Sequence, residues 1–361
     1  MNENNRRDGM CFIISFICLL SMFIFPDATR NAAEEALHIC VKSIIPSLFP
    51  FVVCTRILLH YIPFKNSEKS NVSVFCGLNF NGMIVFILGL VSGLPTGAVL
   101  ALKMYERNAV SLSQARRIAI YSSVVSPAFC IIYFGNSVMK NTLCGVAVYI
   151  SVVVTSIGVM LTEYCLFGKN EADDTHFDFQ NDIEPRNESF TDVIVNSFMG
   201  LLNICAFVMF FMCIGEISSL IIGFIRGSSR TADALICGIL EFSGGISKLS
   251  ALKFGERFVY GAFLLGFGSV SAIMQVMDFC TPLGIRVRRL LIVRLVSALC
   301  VPVVSVGVIY IIRSVSDFFK ESMLSCFSIT LIITAFVFAF MIFIVEKSRK
   351  NIRKANIISK I

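Results

Sequence analysis

The chain has 361 residues, 56% hydrophobic and 15% charged, with a net charge of +7 and a mean hydropathy of +0.80. A soluble domain of this length needs far more polar surface, so that class is excluded. The positive charge flanks apolar runs and fills the tail, which fits orientation in a bilayer and not nucleic-acid binding.

In chain order, Arg6 and Arg7 precede a short apolar run at 11–25. No small-x-small cleavage site lies before Pro26, so residues 1–30 read as an uncleaved anchor helix. Apolar runs long enough to cross ~30 Å of hydrocarbon follow, and full spans are expected at 11–25, 45–61, 118–136, 142–166, 197–226, 258–279, 288–313 and 324–346. Two more apolar segments, 82–101 and 232–252, are broken by Ser92-Gly93-Leu94-Pro95-Thr96-Gly97 and by Ser243-Gly244-Gly245. Irregular backbone at membrane depth persists only where protein or a wet cavity satisfies it. Both segments therefore read as re-entrant hairpins. The expected fold is all-α and polytopic, with about eight transmembrane helices plus two re-entrant hairpins.

With the N-terminus in the cytoplasm, Lys65, Lys69, Lys103, Arg107, Arg116, Arg117, Arg286, Arg288, Arg289, Arg294 and the tail (Lys347 to Lys360) fall inside. That distribution follows the positive-inside rule and puts both termini in the cytoplasm. Arg226, Arg230, Lys248, Lys253 and Arg257 fall outside, against the rule. Residues 169–190 carry Asp173, Asp174, Asp178, Asp182 and Glu184 and read as a cytoplasmic linker.

The linker separates two similar halves, 31–168 and 191–315, ahead of a last helix and basic tail at 316–361. Each half runs lead-in, span, glycine-tipped hairpin, interrupted span, span. The lead-ins are 32–42 and 190–196, and the interruptions are Ser126-Pro127 and Gly266-Phe267-Gly268-Ser269. Matched broken segments in two halves are the sequence mark of an inverted-repeat transporter with a midplane site. The fourteen cysteines are scattered, without a C-x-x-C pair, and read as small apolar residues.

Pro46-Ser47-Leu48-Phe49-Pro50-Phe51, the tip at Ser92 to Ala98, Ser126-Pro127 and Ala262 to Gly268 together resemble the YlbJ-type sporulation integral membrane proteins. The resemblance covers roughly residues 10–315. It implies a nucleoside-recognition, or Gate, domain, similar to parts of concentrative nucleoside transporters and of the bacterial ferrous-iron permease. It also implies a spore-forming bacterium and movement of dipicolinic acid across the outer forespore membrane. The tip Glu241 to Gly245 departs from the family's short polar Thr/Asn-Gly pattern.

Each glycine tip offers backbone N–H groups and a helix dipole that suit an anion, and two tips at the midplane suit a small dicarboxylate. Substrate-binding candidates are Ser92, Gly93, Thr96, Gly97, Ser126, Ser243, Gly244, Gly245, Ser269, Ser271 and Gln275. Thr96 either caps the returning half-helix or touches substrate. Ser126-Pro127 is either a plain kink or a site, and intramembrane Ser and Gln also serve as interhelical glue. Gly89, Gly93 and Gly97 can equally mark tight helix packing. Glu241 is a candidate coupling or ion site, because intramembrane carboxylates are costly and functional by default. Its bland alternative is an ion pair with Lys248 or Lys253.

No Walker A, H-E-x-x-H or catalytic constellation is present, and His38, His60 and His176 stand apart. The expectation is a non-enzyme without cofactor or metal. It would carry a small organic anion by rearranging two halves about a midplane site. Nucleoside transport and a non-transporting sporulation scaffold are the alternatives. Partners expected are the bilayer, the anion, and further copies or other sporulation membrane proteins.

Overall fold

The computed structural model describes residues 3–61, 76–167, 189–227 and 229–318, and among these there are helices and no β-strand. The expected acidic linker lies almost wholly outside the described residues, and the span at 324–346 and the basic tail lie wholly outside them.

Helix α1 (Glu3–Ile24) leads into α2 (Pro26–Ile39), whose Pro26 stands in the first turn, where its missing N–H costs nothing. A π-helical turn, Cys40–Ile44, joins α2 to α3 (Ile45–Tyr61). The lead-in and first span are thus one continuous helix. The same holds in the second half, where α8 (Phe190–Arg226, 37 residues) absorbs the expected lead-in. Its start is fixed by a capping box, Ser189 with Asp192.

The first hairpin is α4 (Phe80–Ser92) and α5 (Thr96–Glu106), packed against each other. At 13 and 11 residues they reach roughly 20 and 17 Å, too short to cross a bilayer. Gly93 breaks the helix at φ 78°, a conformation that costs glycine little, and the Leu94–Pro95 peptide is cis. Helix α6 (Leu112–Tyr121) then stops, residues 122–126 run irregularly, and a π-helical segment, Phe129–Val138, continues. Helix α7 (Thr142–Phe167) closes the half.

After α8 the order recurs. Helices α9 (Arg230–Leu240) and α10 (Phe242–Leu249) form the second hairpin. Helices α11 (Phe254–Phe267) and α12 (Val270–Cys280) are separated by Gly268 and Ser269, and α13 (Val287–Phe318) ends the described chain. Contacts between the halves are reciprocal. The π-helical segment of the first interrupted span packs on α10, and α12 of the second packs on α5. Helices α7 and α13 pack on each other.

Among the described residues five helical stretches are long and apolar enough to cross a membrane: Pro26–Leu58, Thr142–Leu166, Phe190–Ile225, Phe254–Cys280 and Val287–Ile312. These match five of the expected spans. Phe129–Val138 is a shorter apolar helix, so the expected span at 118–136 does not reach that length as one helix, and Ser15–Ile24 is the apolar end of the 22-residue α1.

Helix α13 shows which solvent the fold is built for. Ile292, Leu295, Leu299, Val303, Val306 and Tyr310 form one exposed apolar face, while Arg294, Ser297 and Ser305 are buried on the other. An apolar outside over a partly polar inside is the pattern expected in lipid.

Basic residues gather at one end. Arg116 Nε donates to the Leu283 carbonyl at 2.7 Å. Arg289 pairs with Glu163, whose other oxygen accepts from the Tyr121 hydroxyl. Asn81 donates to Ala109 O at 3.2 Å, so the base of the first hairpin is at this end too. The second hairpin opens at the opposite end. There Arg257 donates to Val138 O, Ser250 O and Leu252 O at 2.7–2.9 Å. Arg257, one of the basic residues running against the positive-inside pattern, therefore caps exposed carbonyls.

Candidate functional site

Every helix break leaves backbone groups without intrahelical partners, and the interior must satisfy them. Here the breaks satisfy one another. Leu94 N–H donates to Val124 O at 2.8 Å, tying the first tip to the irregular stretch 122–126. A Cβ on Gly93 would stand 2.6–2.8 Å from Ser126, and one on Gly97 would stand 2.9 Å from the Ser122 carbonyl. The glycines are there so that two backbones can touch.

At the second hairpin the break falls at Glu241, which is extended (φ −143°, ψ 111°), and not at Ser243-Gly244-Gly245. Ser243, Gly244 and Gly245 lie in the first turns of α10. Gly245 packs on the Gly238 backbone of α9, and Gly244 faces Met212 of α8. These glycines serve close packing instead of the tip. Glu241 itself caps α10: its Oε1 accepts from Ser243 N–H at 3.1 Å and from Ser243 Oγ at 2.8 Å. The carboxylate is 1% exposed. It is not paired with Lys248, which binds Glu216 at 2.6 Å.

Both hairpin tips, the first interruption and helix α12 meet at a cavity of about 40 Å³, room for about three waters at ~10–15 Å³ each. Leu94 comes from the first tip, and Val125, Ser126 and Phe129 from the first interruption. Glu241, Phe242 and Ser243 come from the second tip, Ala272 and Gln275 from α12. Ile44, Leu48, Ile204 and Val208 complete an apolar wall. Phe129 and Phe242 meet edge to face with centroids 4.8 Å apart. Tyr133 Oη donates to Ser243 O at 3.3 Å, joining the π-helical segment to the second tip.

Of the candidate residues, Ser126, Glu241, Ser243 and Gln275 thus line one cavity. Ser271 stands beside them, accepting from Gln275 Nε2 at 3.3 Å. The others are structural neighbours. Ser92 is hydrogen-bonded to Thr55 (2.7 Å) and to Leu88 O (2.8 Å), pinning α4 to α3. Thr96 is buried in the first turn of α5. Ser269 caps α12 by accepting from Ala272 N–H at 3.1 Å. Several tip donors expected to meet an anion are already used: Leu94 N–H by Val124 O, Gly97 N–H by Gly93 O, Ser243 N–H by Glu241.

Arg294 and Arg117 were grouped with the orienting charges, but both are buried. Arg117 donates to Cys76 O and lies over the Tyr164 ring. Arg294 donates to Ser123 O, within the irregular stretch that leads to the cavity. Its helical phase, on the face of α13 that carries Ser297 and Ser305, is the signal that marks it as inward-facing. Among the described residues no group of three or more His, Cys, Asp or Glu could hold a metal ion.

No family model matches the chain, and no solved structure matches it. It is similar to the sporulation integral membrane protein YlbJ of Bacillus subtilis (strain 168), 20% identical over 335 residues and covering 81% of each chain. This similarity, together with the apolar helices, supports membership in the YlbJ-type sporulation integral membrane proteins.

Proposed function

We propose that the chain transports a small organic anion, dipicolinic acid, across the outer forespore membrane, without enzymatic activity of its own. The observation that carries this reading is the convergence of the two hairpin tips and the two interrupted helices on one cavity. Broken helices meeting between two halves are how secondary transporters build a substrate site. The basic end, with Arg116 and Arg289, is assigned to the cytoplasm by the positive-inside rule. The first hairpin then enters from the cytoplasm and the second from the opposite side.

A cavity of about 40 Å³ is well below the roughly 300–1,000 Å³ of ordinary ligand sites. In this reading the structure is an occluded state, and substrate is admitted when the hairpin tips part. The edge-to-face pair Phe129 and Phe242 offers an aromatic surface to a planar ring. Ser126, Ser243 and Gln275 supply hydrogen bonds. Glu241 opposes an anion while ionised. Loading it with a proton or a cation removes that opposition and couples the two movements. The aromatic pair would also hold a nucleobase, which keeps a nucleoside carrier as the second reading.

The test is flux into liposomes containing the purified chain, with dipicolinate, a nucleoside panel and an unrelated dicarboxylate. Thermal stabilisation by each compound is read alongside. A ligand at 100 times its dissociation constant adds about 2.7 kcal/mol. Selective flux and stabilisation by dipicolinate are expected, both lost in Ser126→Leu. Nucleoside-selective flux would establish the second reading. No flux of any compound, with the folded protein retained, would leave the scaffold role.

A further inference from the structure

We propose that Arg294 binds a carboxylate of the substrate on the cytoplasmic side of the cavity, supplying the positive charge that the hairpin tips lack. The assignment rests on the anion-transport reading above. Arg294 stands in the third turn of α13 and is 4% exposed. Among the described residues no carboxylate lies within 4.0 Å of it, and its hydrogen bond runs to the Ser123 carbonyl. The neighbouring cation, Arg289, has Glu163. A buried charge without a counter-charge is strongly disfavoured, so a protein keeps one where something else supplies the opposite sign.

A second observation points to the same place. Ser123 is fully buried, and among the described residues its hydroxyl has no hydrogen-bond partner. Ser123 belongs to the stretch that continues through Val125 and Ser126 on the cavity wall. An unpartnered buried hydroxyl beside an uncompensated guanidinium is a recognition set for a carboxylate. The planar fork gives paired hydrogen bonds and the hydroxyl a third. Ser297, buried three residues along the same face of α13, extends the polar surface.

The purified full chain is titrated with pyridine-2,6-dicarboxylate and with its neutral diamide, as wild type, Arg294→Gln and Arg294→Lys. The wild type should prefer the dicarboxylate. Arg294→Gln should lose about tenfold or more of dicarboxylate affinity, with diamide binding unchanged, and Arg294→Lys should fall between them. A purely structural arginine would shift both compounds together or neither. A folded Arg294→Gln that keeps the wild-type preference overturns the assignment and leaves the anion reading standing. A wild type that does not prefer the dicarboxylate overturns both. Where Arg294→Gln does not fold, the lysine variant decides. Weakened dicarboxylate binding with intact diamide binding supports the assignment, and wild-type binding of both overturns it.

Discussion

Glu241 combines a structural and a proposed functional role, and two substitutions separate them. Its Oε1 accepts from Ser243 N–H at 3.1 Å and Ser243 Oγ at 2.8 Å in a site that is 1% exposed. Glu241→Ala strands both donors. A buried donor left unmatched costs about 1–3 kcal/mol. The serine hydroxyl can rotate to another acceptor and the backbone N–H cannot, so one donor stays stranded and the expected loss is about 1–3 kcal/mol. Glu241→Gln keeps an oxygen in the capping position and should cost less than ~1 kcal/mol. The chain has no tryptophan, so unfolding is best followed with a thiol-reactive fluorophore that reports exposure of buried Cys40, Cys130, Cys144 and Cys280. In liposomes the folded glutamine variant should lose the response of flux to an imposed proton or cation gradient. If Glu241→Gln unfolds as early as Glu241→Ala, the capping argument is wrong and the charge itself holds the tip. If its flux still follows the gradient, the coupling role is wrong.

Three further outcomes test the packing and topology. A Cβ on Gly89 would meet mainly the Ser122 side chain (Cβ at 2.7 Å), whereas one on Gly97 would also meet the Ser122 backbone at 2.9 Å. Both alanine variants should lose about 1–3 kcal/mol. Ser122→Gly should rescue Gly89→Ala but not Gly97→Ala in a double-mutant cycle of thermal stabilities. Arg257→Met removes the donor to the Val138, Ser250 and Leu252 carbonyls. It should lower stability by about 2–4 kcal/mol, and an unchanged melting curve would show that water replaces it. Single cysteines placed at Glu106 and at Ala251, on a background without the exposed Cys54 and Cys165, should be labelled from opposite faces of the membrane. Labelling from the same face would contradict the opposed hairpins.

Much of the architecture is local and was legible in the residues. Runs of apolar side chains at 142–166, 197–226, 258–279 and 288–313 must be helices in lipid, and the structure has helices there. Gly93 and Pro95 stand two residues apart within one apolar run, a pairing that disfavours a continuous helix, so the first tip was readable in place. The break at Gly268 also falls where the residues placed an interruption.

What depends on a distant partner was not legible. Gly244 and Gly245 read as a tip because glycine permits a turn, but they are small because Met212 and Gly238 press on them. Glu241 breaks the second hairpin with an extended backbone and its own side chain as cap, a choice no propensity announces. Arg294 read as one more basic residue near a helix start, and the packing of α13 on α7 and α11 turns it inward. The sequence by itself determined an all-helical chain for lipid, with helix breaks at defined places. The tertiary structure alone decided which breaks meet around one cavity and which charges are buried beside it. The reason is physical: helix formation and breakage are settled within a few residues, whereas burial depends on residues far apart in the chain.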